Sequence, residues 1–314
     1  MSSSSGPEPT PQLDVAELEQ AEKLERPPAA ERALGEAERG ARGRGWVTVA
    51  WALPGGLWLG FFLLAPLVFI VLVSFWTYQL GAKSGFTTKW TTANYGTIIH
   101  TSTYWHNMLG SLYTSLIAVA ACLVLGFPVA YFLALKVQNL RNQIALFIIA
   151  LAPFWTSFLV RSVAWTYPLS DVLGKLGIST PSSASVRLAL IQLYILFMIT
   201  PLFFTLAQVD RTAIEAARDL GGNWWRTFTA VILPQALPGI VIGSIFIFVL
   251  TMGEYGTVLV VGQNFVQSVG TIVNSYITNA VQYPQGAAAA VLLVLALIAG
   301  VIVITRFSNL REEL

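Results

Sequence analysis

The sequence predicts an all-α membrane protein with six transmembrane helices, both termini in the cytoplasm, and a short helical element on the cytoplasmic face between spans four and five. Composition, long apolar runs and the placement of basic residues each point there. Of 314 residues, 55% are hydrophobic and only 11% charged, whereas an ordinary soluble domain is roughly 25% charged. The formal net charge of +2 argues against a nucleic-acid reader, which needs a concentrated basic face. Charge is also segregated: residues 1–45 hold nine acids and six bases, and the remainder holds seven acids and twelve bases.

Residues 1–45 are rich in Ser, Glu, Ala, Arg and Pro and lack apolar periodicity, so they read as a disordered tail. No signal-peptide pattern is present, and the first apolar run is expected to be retained. A span needs about 20 apolar residues at a rise of about 1.5 Å each. Six segments qualify, near 53–76, 109–135, 144–165, 188–208, 237–261 and 286–305. The gaps at 77–108, 166–187 and 262–285 read as long loops, 136–143 as a short basic turn, and 209–236 as amphipathic. The tail, the turn, the amphipathic stretch and the C-terminus carry 13 Lys and Arg, and the three long loops carry four. Basic residues concentrate on the cytoplasmic side of a membrane, which sets the orientation. Pro128, Pro153 and Pro201 fall inside spans and predict kinks turned toward neighbouring helices. Gly56-x-x-x-Gly60 and the run Gly286–Ala290 predict close helix packing.

The single cysteine, Cys122, lies in an apolar run, which excludes an internal disulfide or a thiolate metal site. His100 and His106 have no acidic residue between them and read as exposed loop residues, so no metal and no cofactor is expected.

The stretch from Asp210 to Pro234 carries two helix signals. Thr212 and Glu215 have capping-box spacing, and Gly221 stands where a left-handed residue closes a helix. Asn223 predicts a second cap, for a helix through Trp225 and Phe228 that stops by Pro234. Ala216, Ala217 and Leu220, beside Arg218 and Asp219, make a small docking surface for another protein.

Glu215-Ala216-Ala217, Gly221 after a further three residues, Val231 and the pair Leu233-Pro234 resemble the EAA motif of the membrane subunits of type I ABC importers. Valine replaces the usual isoleucine before the Leu-Pro pair. The resemblance covers about residues 105–305 and implies the following organisation: a tail at 1–45, a first helix and outer loop at 46–104, a five-helix importer domain at 105–305, and a cytoplasmic C-terminus at 306–314. It further implies that Glu215, Ala216, Ala217 and Gly221, with Asp219 and Leu220, form a coupling helix docked on cytoplasmic ATP-binding subunits. A second permease subunit, an extracytoplasmic substrate-binding protein and the lipid bilayer complete the implied partners, in a bacterial inner membrane. The chain itself lacks a phosphate-cradling loop, since Gly174-Lys175-Leu176 has no hydroxyl after its lysine. It is therefore expected to be a non-catalytic subunit whose ATP is hydrolysed by a partner.

Ala93-Asn94-Tyr95, Pro153 to Arg161 with Ala164-Trp165, and Gly253-Glu254-Tyr255-Gly256 resemble the spermidine/putrescine branch of these permeases, while sulfate, iron, opine or amino-acid-like solutes share the layout. Counted along continuous helices, Arg161 and Glu254 fall at matched depth with opposite sign. An ionisable residue in a span is a functional candidate, and a carboxylate on a water-filled path suits an ammonium-bearing polyamine. The same two residues also suit a structural ion pair. Phe154, Phe158, Arg161 and Trp165 follow helical spacing on one side of span three and can attract a cation or simply pack. Ser244 and Thr251 add a weakly polar face near Glu254. An ion-driven secondary transporter has no need of the docking helix, and an intramembrane enzyme lacks a catalytic pair within the spans.

Overall fold

The computed structural model describes residues 51, 53–79, 86–167 and 170–309; the expected tail at 1–45 and the last residues, 310–314, lie outside them. The chain divides into two compact units, Met1–Leu67 and Val68–Leu314. Among the described residues five helices are long and apolar enough to cross a membrane, and a sharply bent helix pair makes a sixth crossing when counted as one span. Helix α1 runs Leu53–Ser74 and is apolar along its length. Among the described residues nothing lies within 4 Å of a Cβ added at Gly56 or Gly60.

The first long loop is structured. Strands β1 (Trp76–Tyr78) and β2 (Phe86–Trp90) pair antiparallel, and helix α2 follows at Ala93–His100. Asn94 is buried and donates its side-chain N–H groups to the carbonyls of Ser74 and Trp76, both at 2.8 Å. The Tyr95 hydroxyl lies 2.6 Å from the Ser74 hydroxyl. Asn94 thereby satisfies two carbonyls at and just beyond the end of α1, and Tyr95 ties its hydroxyl to that of Ser74. His100 is the last residue of α2 and His106 lies in the next helix; both are exposed, but on helices rather than in a loop.

Helix α3 (Ser102–Tyr131) begins before the predicted boundary and continues through a π turn to Lys136. Pro128 lies inside it, four residues before the π turn starts. Helix α4 (Leu140–Leu151) opens on Asn139, whose side chain accepts from the Arg141 amide at 3.0 Å. The crossing Ser183–Ala207 comprises α7 (Ser183–Tyr194) and α8 (Leu196–Ala207), after the short α6 (Ser170–Lys175).

The next crossing departs most from expectation. Instead of stopping before Pro234, the helix that starts at Trp224 continues to Met252: α10 (Trp224–Thr227), a π segment (Phe228–Ile232), then α11 (Leu233–Met252). Pro234 sits in the first turn after the π segment, where its missing N–H and its ring are tolerated. The crossing ends at Met252, nine residues short of the predicted 261. Helices α12 (Gly256–Gly262), α13 (Val269–Thr278) and α14 (Tyr283–Asn309) complete the chain, so the predicted loop 262–285 also holds a helix.

The main core lies where α3, α8 and α11 meet. It buries Ala118, Cys122, Ala130, Met198, Leu202, Leu206, Ala236 and Ile247. Glycines on α11 set the approach: a Cβ on Gly239 would meet the Pro201 carbonyl at 2.8 Å and the Leu202 Cα at 3.1 Å, and one on Gly243 would meet the Phe197 carbonyl at 3.3 Å. The Phe197 carbonyl is the one that Pro201 cannot bond in the helix, so the proline on α8 faces a glycine on α11. The Gly286–Ala290 run also packs closely, with Ala288 and Ala289 fully buried and the Tyr104 hydroxyl donating to the Ala289 carbonyl at 3.0 Å. Gly239→Ala is expected to force α8 and α11 apart at a cost of about 1–3 kcal/mol. Thermal unfolding in detergent checks this, with a lowered Tm expected and an unchanged Tm contradicting the packing.

Candidate functional site

Two groups of predicted residues come together at separate places. The first is the segment from Asp210 to Thr227. Helix α9 spans Arg211–Asp219, and its N-cap is Asp210, which accepts from the Thr212 amide at 2.9 Å and from the Thr212 hydroxyl at 2.7 Å. The predicted Thr212–Glu215 capping box therefore does not form: an aspartate two residues earlier takes the amide, and Glu215 is left exposed mid-helix. These hydrogen bonds from Thr212 hold the exposed Asp210 carboxyl below the usual carboxylate range.

The far end of α9 closes as predicted. Gly221 has φ +77°, its amide donates to the Arg218 carbonyl at 2.8 Å, and the Gly222 amide donates to the Ala217 carbonyl at 3.0 Å. This is the paired bonding of a Schellman motif. Gly222 is equally constrained, since a Cβ there would lie 2.5 Å from the Ala217 oxygen. Asn223 then caps α10 by accepting from the Arg226 amide at 2.9 Å. Ile214 packs on the main core, while Glu215, Ala216, Asp219 and Leu220 are exposed and Ala217 is half-buried. Leu220 is 89% exposed, and Trp224 and Trp225 beside it are 53% and 64% exposed. An apolar ridge thus stands uncovered on a helix that is anchored by its opposite face.

The second group surrounds two helix breaks. The predicted third span is not continuous: α4 ends in a 3-10 turn at Ala152–Trp155, α5 restarts at Phe158–Thr166, and the two axes differ by 74°. Pro153 sits in the first turn of the 3-10 segment. Phe154 consequently does not share a helical face with Phe158, Arg161 and Trp165, and the matched-depth count for Arg161 fails. Glu254 likewise lies outside a continuous helix, in the break Gly253–Tyr255 between α11 and α12.

The structure nevertheless gathers these residues. Glu254 accepts from the Thr257 amide at 2.8 Å through one carboxylate oxygen and from the Tyr194 hydroxyl through the other. Its backbone carbonyl accepts from the Ser268 hydroxyl at 2.8 Å. The Ser162 hydroxyl of α5 meets that of Thr257 at 3.2 Å, and Phe158 lies against Gly256. No ion pair joins Arg161 to Glu254 among the described residues, and the Arg161 Nε and Nη1 atoms are buried without a hydrogen-bond partner. Trp165 donates to the Gln192 side chain at 3.5 Å. Ser244 and Thr251 are buried, and Thr251 is bonded back to the Ile247 carbonyl at 2.6 Å, so neither lines an open path within this chain. Phe154 stacks edge-on with Phe197 and lines a groove of 380 Å³ with Trp155, Pro201 and Phe246. Tyr194, Thr257 and Ser268 were not singled out from the sequence; Tyr194, a lone phenol in an apolar span, was the available signal.

Residues 126–311, which hold α9 and both breaks, match the model of a binding-protein-dependent transport system inner membrane component. The chain belongs to this family, the permease subunits of type I ABC importers. It is a multi-pass protein of the bacterial inner membrane. The spermidine/putrescine transport system permease protein PotB of Escherichia coli (strain K12) is 31% identical over 268 residues, covering 82% of this chain and 96% of PotB. The molybdenum transport system permease protein ModB of Azotobacter vinelandii is 28% identical over 156 residues, covering 48% of this chain and 69% of ModB. In fold, the permease is similar to a bacterial ABC transporter involved in the import of the acidic polysaccharide alginate, with TM-score 0.57, 17% identity, and 87% of this chain and 98% of that chain covered.

The Asp210 cap makes α9 acid-sensitive in a defined direction. Its carboxyl titrates lower in the folded chain than when free, so its stabilisation is fully present above the ordinary aspartate value near about 3.9 and is lost as pH falls through the depressed folded value. Hydrogen exchange of the α9 amides in the permease should accelerate on acidification through that window, and Asp210→Asn should remove this pH dependence. Identical acid profiles for the two would contradict the capping role.

Proposed function

We propose that this chain is the permease subunit of an ATP-driven, binding-protein-dependent importer that carries polyamines into the cytoplasm by alternating access. In this reading the bent pair α4–α5 counts as one span, giving six, and both termini are cytoplasmic. The tail is 1–45, the first helix and outer loop 46–104, the importer domain 105–305 and the C-terminal piece 306–314. A second permease subunit completes the pathway, an extracytoplasmic binding protein delivers the substrate, and separate ATP-binding subunits hydrolyse ATP.

The observation that carries the coupling assignment is α9 itself. Its Glu215, Ala216, Asp219 and Leu220 are exposed, its end is fixed by Gly221, and after one tight turn the chain enters a helix that runs unbroken from Trp224 to Met252. A push on α9 is thereby passed along a continuous rod that ends one residue before Gly253-Glu254. The basic residues on the α9 side of the chain support a cytoplasmic placement. Substrate selection is assigned to Glu254, with Arg161, Phe154, Phe158 and Trp165 as further pathway residues; the buried Ser244 and Thr251 are left out of the path. A carboxylate offers about four acceptor positions, so Glu254 retains capacity for an ammonium beside Tyr194 and Thr257. Similarity to PotB over most of both chains favours a polyamine. The similarity to ModB and the unpartnered Arg161 donors favour a second reading, an anionic solute contacted by Arg161.

ATP hydrolysis by the reconstituted complex with its binding protein tests both. Spermidine or putrescine should stimulate it, and stimulation by molybdate or sulfate alone would transfer the assignment to the anionic reading. Glu254→Gln should lower polyamine uptake about ten-fold or more, the loss of about 1.5–3 kcal/mol of a charged hydrogen bond, with the folded yield retained; equal loss of yield and uptake would make Glu254 structural. Gly221→Pro cannot adopt φ +77° and should abolish substrate-stimulated hydrolysis while the chain still inserts. Undiminished stimulation would contradict the coupling role.

A further inference from the structure

The end of α3 and helix α9 enclose a groove of about 220 Å³ that lies apart from the transport pathway and shares only Glu215 with the proposed docking face. Tyr131, Leu135, Lys136 and Gln138 line one side, and Arg211, Ile214, Glu215 and Arg218 line the other. Three cations and one carboxylate converge there. Lys136, Arg211 and Arg218 are exposed, and none of them has an ion pair or side-chain hydrogen bond among the described residues. Arg211 and Arg218 do not pair with Glu215, although all three stand on one nine-residue helix.

Lys136 is the last residue of a 35-residue apolar crossing, which puts the groove at the membrane surface. Leu135 and Ile214 give it an apolar side, and Gln138 adds an amide donor. A compact group that carries negative charge, several acceptor oxygens and an apolar continuation matches these walls. Guanidinium forks suit phosphate oxygens bidentately, and an ammonium adds a point charge. Basic pockets between transmembrane helices on the cytoplasmic side hold acidic headgroups.

We propose that this groove binds an anionic phosphate group, which ties α9 to the end of α3. Its source is either the headgroup of an acidic phospholipid or free phosphate. The lipid source rests on the proposed cytoplasmic placement of α9; the charge argument does not.

The test uses the complete complex. In nanodiscs of phosphatidylcholine with added phosphatidylglycerol, native mass spectrometry counts retained acidic lipid and titrates its release. Each cation near the surface contributes about 1 kcal/mol, or about five-fold in affinity. Lys136→Gln, Arg211→Gln and Arg218→Gln together should therefore weaken phosphatidylglycerol binding about a hundred-fold. The charge-keeping set Lys136→Arg, Arg211→Lys and Arg218→Lys should retain it, which separates lost charge from lost fold. Inorganic phosphate titrated onto the detergent-solubilised complex forms the second arm, and saturable binding with the same variant pattern supports a free phosphate source. Equal phosphatidylglycerol and phosphate binding by wild type and the Gln set overturns the proposal. So does loss of the ATP-binding subunits from the Gln set with phosphate binding unchanged, which would give the groove to a protein contact. Polyamine-stimulated hydrolysis, read in the same preparations, reports separately on the proposed function.

Discussion

A helix that breaks inside an apolar layer strands backbone groups that lipid cannot satisfy, and this chain breaks at Thr156–Ser157 and again at Gly253–Tyr255. Much of the second half of the structure follows from answering that constraint. The Glu254 carboxylate takes the free Thr257 amide, and its carbonyl is taken by Ser268. Gly270 lets α13 approach so closely that a Cβ would lie 2.7 Å from the Gly253 carbonyl. The piece that restarts after each break then packs on the other, through Ser162 with Thr257 and Thr166 with the Val260 carbonyl. Glu254 is thus a structural acceptor and an ionisable group at one position. In the proposed function a carboxylate so placed both keeps the break ordered and meets the solute.

The α9 end obeys the same rule under different conditions. Exposed at one face, the helix is closed by side-chain and backbone acceptors at both termini, Asp210 before it and the Schellman pair after it. Anchoring comes from Ile214 on the main core and from Phe228, which stacks at 5.3 Å on Trp224 and meets Phe127 edge-on at 5.5 Å. The π segment at Phe228–Ile232 lets one helix contain Pro234 without ending. The exposed face of α9 is therefore joined by one tight turn to the helix Trp224–Met252, which is what the proposed coupling requires.

The apolar runs made most crossings legible, because burial in lipid demands an unbroken hydrocarbon surface whatever the neighbours are. Gly221 and Asn223 were legible as caps, since their roles depend on residues within one turn. Continuity was not legible. Pro153 sits at a 74° break, Pro234 is absorbed by a π turn, and Pro128 and Pro201 lie inside helices; which outcome a proline has is set by packing on other spans, such as Gly243 facing the Phe197 carbonyl. The same holds for the site. Arg161 and Glu254 stood out as charges in apolar sequence, but the partner of Glu254 is Tyr194, sixty residues earlier, and no local pattern connects them. Capping-box spacing at Thr212 and Glu215 misled because Asp210, a stronger acceptor two residues earlier, was available.

The central claim is that α9 and the Trp224–Met252 helix act as one rod, driving motion of the broken spans beside it. Spin labels at Leu220→Cys and Val249→Cys, in a Cys122→Ser background and in the complete complex, give the distance along the rod; a second pair at Val249→Cys and Leu146→Cys gives the distance from the rod to α4. Comparison of nucleotide-free and ATP-trapped complexes should leave the first distance unchanged and shift the second. A change in the first distance with the second fixed would place a hinge within the rod and contradict the account.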